Sequence, residues 1–323
     1  MKRPLALTLA LILMSTIVLP ILADGEDFAD SPDEFVPEIM SEHYISDRNY
    51  AIAFKSMYDG ETWLYNAEEY FKVASVYKLP LNMYFYELEN SGRIDPDTLI
   101  GGMTLDQCHY YSLEFSNNQI SEAMLNYLGG YAEYKRLILP YTGYSEDELE
   151  SDYYYDNAFT ARMVLNILDY LHTNSENFEA QIGHMLLAQP DQYLESGELD
   201  CDIAQKYGYE TYNEVLHVAV AGIVYADEPF LITILTRGSY SAVDAMGELC
   251  DAFAAWDAER IAAIEAEKEN QPEPTAGPDE SADETQELEA AALELAQAVC
   301  SVSPLPACLP WGELFENLLR QRS

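Results

Sequence analysis

The chain has 323 residues, enough for one large domain or two small ones with a substantial core. It is 49% apolar and carries 25 tyrosines, the composition of a globular protein. Its 57 acids against 16 bases give a formal charge of −41, a surface that repels phosphate backbones and anionic headgroups and disfavours nucleic-acid and membrane-surface roles.

The N-terminus reads as a targeting segment. Lys2 and Arg3 precede an apolar run from Pro4 to Leu22, and Ala23 stands before the acidic Asp24-Gly25-Glu26-Asp27. A signal peptide over residues 1–23 is expected, with an uncleaved anchor as the alternative. No later run is long enough to span a bilayer, so no stable membrane partner is expected after cleavage. Tyr50 to Met57 alternates as a strand, Asp59-Gly60 is a hairpin signal, and Glu61 to Tyr65 makes the return strand. Helical periodicity runs from Val76 through Leu171, with breaks at Asn90-Ser91-Gly92, Gly101-Gly102, Gly129-Gly130 and Pro140. Strand character returns at Ile203 to Tyr209, His217 to Tyr225 and Phe230 to Arg237. A helix then places Val243, Met246, Cys250 and Phe253 on one face. Strands at both ends and helices between them predict an α+β fold: an antiparallel sheet of about five strands, flanked by helices, with an inserted all-helical subdomain. The segment Gln271 to Asp279 is rich in proline and glycine, so residues 268–323 read as an acidic linker and tail beyond a domain at 34–267.

Export permits disulfides, but five scattered cysteines do not form a framework. Cys300 and Cys308 can pair locally, while Cys108, Cys201 and Cys250 read as small buried hydrophobes. Neither these nor the five histidines show metal-ligand spacing, and no cofactor is implied.

The sharpest chemical feature is Ser75-Val76-Tyr77-Lys78 at the head of a helical segment. Positions i and i+3 share a helix face, so hydroxyl and amine can meet. A serine needs a base to become a nucleophile, and a lysine kept neutral by burial is one. By itself the pattern equally fits an N-cap serine beside a solvated lysine. Two further elements follow: Ser116-Asn117-Asn118 within a helical stretch from Ser112 to Leu128, and Lys206-Tyr207-Gly208 in a strand.

In order and element type these resemble the S-x-x-K, S-D-N and K-T-G motifs of class A β-lactamases and penicillin-binding proteins. Phe71-Lys72-Val73-Ala74 before the serine, Met103 to Cys108, Gly129-Gly130 and Asn157 to Met163 are also similar to the family's segments. The resemblance implies a β-lactamase/transpeptidase-like serine hydrolase acting through a Ser75 acyl-enzyme. It implies Lys78 as base, Ser116 as proton relay to the leaving nitrogen, Asn118 as amide holder and Lys206 as carboxylate anchor. Gly208 and Tyr209 complete the substrate strand, and the Ser75 and Tyr209 N–H groups form the oxyanion hole. The expected partner is a small β-lactam or a D-Ala-D-Ala-like acyl donor, met by a monomer in the periplasm, cell envelope or medium. A D,D-peptidase-like enzyme that deacylates slowly and an inactive wall-binding homologue are the alternatives.

The chain also departs from the family's pattern. Asn117 stands for aspartate, Tyr207 for the short hydroxyl of K-T-G, and no arginine lies on the strand carrying His217. Pro80 is expected to bend the helix's first turn. For the deacylation base the candidate is Glu146, in Glu146-Asp147-Glu148-Leu149-Glu150, although in so acidic a chain the same run fits a solvated turn.

Overall fold

The computed structural model describes residues 31–189 and 193–270. The leader, the Pro-rich segment and Cys300 and Cys308 lie outside the described residues. Helix α1 (Pro32–Glu42) starts in a capping box between Ser31 and Glu34. Strands β1 (Tyr50–Ser56) and β2 (Thr62–Tyr65) form the expected hairpin, and β3 (Phe71–Lys72) leads through a 3-10 turn, Ala74–Tyr77, into α2 (Lys78–Asn90). The helical insertion continues with α3 (Leu105–Leu113), α4 (Asn118–Tyr127), α5 (Tyr131–Leu137) and α6 (Leu139–Thr142). After β4 (Ala158–Phe159) come α7 (Ala161–Thr173) and α8 (Glu179–Leu186). The chain returns to the sheet as β5 (Ile203–Tyr212), β6 (Val215–Val224) and β7 (Phe230–Arg237), then ends its described part in α9 (Ala242–Asn270).

The five main strands make one antiparallel sheet in the order β2-β1-β7-β6-β5. This is the predicted union of the two chain ends, with Ile52 opposite Ile234. Strand alternation separates two cores. One face offers the small side chains of Ala51, Ala53, Ala219 and Ala221 to the inserted helices; the other offers Tyr50, Ile52, Phe54, Val220 and Ile232 to α1 and α9. Alanines let α7 come close to the sheet, and α7 answers with Met163, Val164, Ile167, Leu168 and Leu171 along one buried stripe. Its N-terminus is held by the Thr160 hydroxyl, which accepts from the Met163 N–H at 3.1 Å.

Two expectations fail locally. The small β3–β4 pair was not anticipated, because two residues per strand carry no periodicity. Ser116 is not inside a helix: it lies in the loop between α3 and α4, with φ of +50°. Pro80 falls in the first turn of α2, where a missing N–H is tolerated, and that turn follows directly on the 3-10 turn Ala74–Tyr77.

Candidate active site

Three pieces of chain meet where the sheet faces the helices. The first is the 3-10 turn that carries Ser75. Ala74 adopts φ of +45°, a strained conformation for a residue with a Cβ, and its neighbours hold it there. The Asn157 side chain donates to the Ala74 carbonyl at 2.9 Å, the Val73 N–H donates to the Asn157 carbonyl at 3.2 Å, and the Tyr134 hydroxyl donates to the Tyr77 carbonyl at 2.8 Å. Ser75 is half-buried at the head of α2, and Lys78, its first residue, is fully buried.

The second piece is the α3–α4 loop. Asn117 caps α4, its side chain accepting from the Ile120 N–H at 3.0 Å. This fixes Ser116 and Asn118 on either side of the cap. The Lys78 amine donates to the Ser116 carbonyl and to Asn118 Oδ1, both at 2.6 Å, and lies 3.2 Å from Ser116 Oγ. Burial pushes the Lys78 ammonium down to about 7, with Glu122 pulling the other way.

The third piece is β5. The Lys206 amine is fully buried, donating to Ser116 Oγ at 3.1 Å and to the Tyr207 carbonyl at 3.0 Å. Burial first, and the Lys78 charge second, hold Lys206 well below the usual lysine range. Ser116 Oγ therefore sits between two amines that cannot both keep their protons cheaply. Gly208 lies flush against the nucleophile's turn: a Cβ there would stand 2.7 Å from Ser75 N and 2.5 Å from the Val73 carbonyl oxygen. Tyr209 follows, half exposed. Tyr207 points to the other face, stacked on Tyr193 with 4.9 Å between ring centroids and its hydroxyl bonded to the Gln189 carbonyl. It packs in the second core, yet its ring centre still lies 4.1 Å from the Lys206 amine.

A polar network lies under Ser116. Asn82 donates to the Lys78 carbonyl at 2.6 Å and to Ser112 Oγ at 2.9 Å; Ser112 meets Ser121 at 2.9 Å; and Ser121 donates to the Asn117 carbonyl at 2.8 Å. His109 joins Asn82 at 2.8 Å to Glu89 at 2.7 Å. These residues were not picked out from sequence, since nothing in their spacing marks a shared network.

The structure thus brings Ser75, Lys78, Ser116, Asn118, Lys206 and Gly208 to one place, while the Tyr209 side chain lies on the face of Tyr207 and its charge bears on Tyr193. Glu146 is elsewhere. It is exposed in a 3-10 turn, where Ser145 and Glu148 form a capping box, and the charge of Glu146 bears on Tyr154. The solvated turn is the better description of that run. Lys72 and Arg162 are held by Asp156 and Glu68, and Tyr153 packs against the Lys135 amine, 3.8 Å from its ring. Among the described residues, no group of His, Cys, Asp and Glu is arranged to hold a metal ion.

A mixed α+β scaffold with a half-buried serine and, three positions on, a fully buried lysine at a helix head is the arrangement found in S-x-x-K folds. The chain belongs to the beta-lactamase enzyme family, whose pattern it matches over residues 34–257. Its fold is similar to that of a β-lactamase from Chitinophaga pinensis (TM-score 0.57, 19% identity, 71% of this chain and 99% of that one). It is likewise similar to a β-lactamase from Burkholderia vietnamiensis (TM-score 0.59, 16% identity, 72% and 99% covered). A third likeness is to a β-lactamase from Xanthomonas campestris (TM-score 0.56, 14% identity, 70% and 96% covered). No curated protein matches the chain in sequence.

Proposed function

We propose that the protein is a serine hydrolase that opens β-lactams, or cleaves a D-Ala-D-Ala-like acyl donor, through a Ser75 acyl-enzyme. The single observation that carries this reading is the bracketing of Ser116 Oγ by Lys78 and Lys206 beside the Ser75 turn. Lys78, neutral in part near pH 7, takes the proton that Ser75 loses as it attacks the carbonyl. Ser116, 3.2 Å from the Lys78 amine, passes its own proton to the leaving nitrogen and is reprotonated from Lys78, which ends acylation neutral. The Ser75 and Tyr209 N–H groups receive the developing oxyanion, and the closeness of Gly208 to Ser75 N supports that pairing. Lys206 meets the substrate's carboxylate, an anion that also favours the protonated form of this buried amine. The leader-like N-terminus supports placing this work in the cell envelope or the surrounding medium.

The position of Glu146 favours slow ester hydrolysis after fast acylation. General-base assistance is worth roughly 10²- to 10⁴-fold, and the expected supplier is exposed in a turn. Intact mass after incubation with a penicillin tests both halves. A persistent adduct of one penicillin, absent in Ser75→Ala with its melting temperature kept, is the expected result. Turnover without an adduct, lost in Ser75→Ala, would instead mean efficient hydrolysis. No reaction at all would refute the enzyme reading and leave a binding homologue.

A further inference from the structure

Helix α5 carries Tyr131, Tyr134 and Lys135 on one face, at the i, i+3, i+4 spacing that brings side chains together. The Tyr134 hydroxyl holds the Tyr77 carbonyl at the far end of the nucleophile's turn, at 2.8 Å. The other two reach the chain where it enters β4. The Tyr131 hydroxyl donates to Asn157 Oδ1 at 2.9 Å, and the Lys135 amine donates to the Ala158 carbonyl at 2.9 Å. We propose that Tyr131 and Lys135 are positioning residues for acylation, which set the oxyanion-hole N–H of Ser75 by clamping Asn157. This inference rests on the acyl-Ser75 reading above.

Lys135 is the less expected of the two. Its side chain is fully buried, and the amine lies 3.4 Å from the centre of the Phe159 ring and 3.8 Å from that of Tyr153. Asp156 bonds Lys72 instead, and among the described residues no carboxylate pairs with Lys135. An ammonium taken out of water without such a partner is costly to keep, and burial holds Lys135 well below the usual lysine range. Two ring faces and one carbonyl are what it meets in place of water. These lie in the 3-10 turn Ser151–Tyr154 and in β4, so the amine ties α5 to the chain on both sides of Asn157.

Asn157 transmits the hold. Its side-chain amide donates to the Ala74 carbonyl at 2.9 Å, and its own carbonyl accepts from the Val73 N–H at 3.2 Å. The Ala74 carbonyl and the Ser75 N–H belong to one planar peptide unit, so fixing the oxygen at one edge fixes the direction of the N–H at the other. The Ser75 nitrogen faces β5, where a Cβ on Gly208 would lie 2.7 Å from it. Ala74, with φ of +45°, needs its surroundings to keep that conformation. Cut loose from Asn157, the peptide turns toward ordinary backbone angles, and its N–H leaves the place where negative charge develops on the acyl oxygen. Asn118 and Lys206, which the reading gives to the substrate's amide and carboxylate, stand on α4 and β5 and do not depend on the clamp.

The test is penicillin labelling under single-turnover conditions over a range of penicillin concentrations, which separates the acylation constant from the half-saturating concentration. Tyr131→Phe should lower the acylation constant about tenfold, and Lys135→Met about 10- to 10²-fold, within the loss of a whole oxyanion donor. The half-saturating concentration should stay within about twofold of wild type in both. Asn157→Ala should be slower than either. Adding Tyr131→Phe or Lys135→Met to it should slow labelling no further, because both act through the residue already removed. If Lys135→Met does not fold, Phe159→Leu takes its place in the cycle, stripping one ring from the amine while keeping an apolar side chain in the core. Losses that multiply in the Asn157→Ala background would overturn the proposal and leave the acyl-enzyme standing. So would a raised half-saturating concentration with an unchanged acylation constant, or labelling of the single variants within about twofold of wild type. A wild-type chain that penicillin never labels would remove the functional reading and this inference together.

Discussion

Replacing Lys78 by Met should make the protein more stable and inactive at once. The wild-type amine is fully buried, and folding carries it from an ordinary 10.5 down to about 7. At roughly 1.4 kcal/mol for each pH unit, that depression sets the cost of burying Lys78 near neutral pH on the order of 4 kcal/mol. Methionine removes the cost but leaves the Ser116 carbonyl and Asn118 Oδ1 without their donor. Asn118 is exposed and finds water, so the loss there is small; the carbonyl accounts for about 1–3 kcal/mol. The net gain is about 1–3 kcal/mol, or roughly 2–10 °C in melting temperature for a domain of this size. The sign with pH is definite. The unfolded lysine binds its proton up to 10.5 and the native one only to about 7. The wild-type deficit is therefore complete below about pH 7 and fades between there and 10.5. Thermal melts of both proteins from pH 6 to 10 read this difference directly, and subtracting the two curves cancels the many tyrosines. A variant that melts at or below wild type at pH 7, with a gap that does not change with pH, would refute the reasoning.

Acylation of Ser75 should rise with pH through about 7 and level off above it, as Lys78 loses its proton; stopped-flow penicillin binding checks this, and a flat profile from pH 5.5 to 8.5 would remove Lys78 as the base. Gly208→Ala should slow acylation by 10²-fold or more, on the order of the loss of an oxyanion donor, because the new methyl meets backbone at 2.5 and 2.7 Å and must displace the Ser75 turn. Labelling at the wild-type rate would show that β5 gives way instead.

Much of the architecture was legible because its signals are long. The β5, β6 and β7 runs and the capped helices repeat their pattern over many residues. Ser75 and Lys78 were legible because they stand three positions apart where a 3-10 turn runs into a helix. Ser116 was misplaced because the patterns of α3 and α4 run almost into each other, and only the capping role of Asn117 marks the break. For Glu146 the sequence left a general base and a solvated turn both open, and its exposure fits the turn. Ser145 followed by Glu148 is a capping box, and that local job accounts for acids that had suggested catalysis. The Asn82–His109 network left no comparable trace, since hydrogen bonds between separate helices impose no spacing on either one.

The pairing of β1 with β7 has a consequence for how the molecule assembles. Tyr50 lies opposite Thr236, so almost the whole helical insertion must be closed as a single loop before that ladder can form. The β1–β2 hairpin and the β5–β7 meander are local and can form early; their union is non-local and late, the step that slows folding in topologies of this kind. Ser75 and Lys78 travel with one side of that closure, Lys206 and Gly208 with the other. An intermediate that has gathered its helices and both strand clusters still has no nucleophile beside its substrate strand. Recovery of penicillin labelling during refolding therefore reports the closing of the sheet, and its lag behind the return of helical signal measures how long the two halves take to meet.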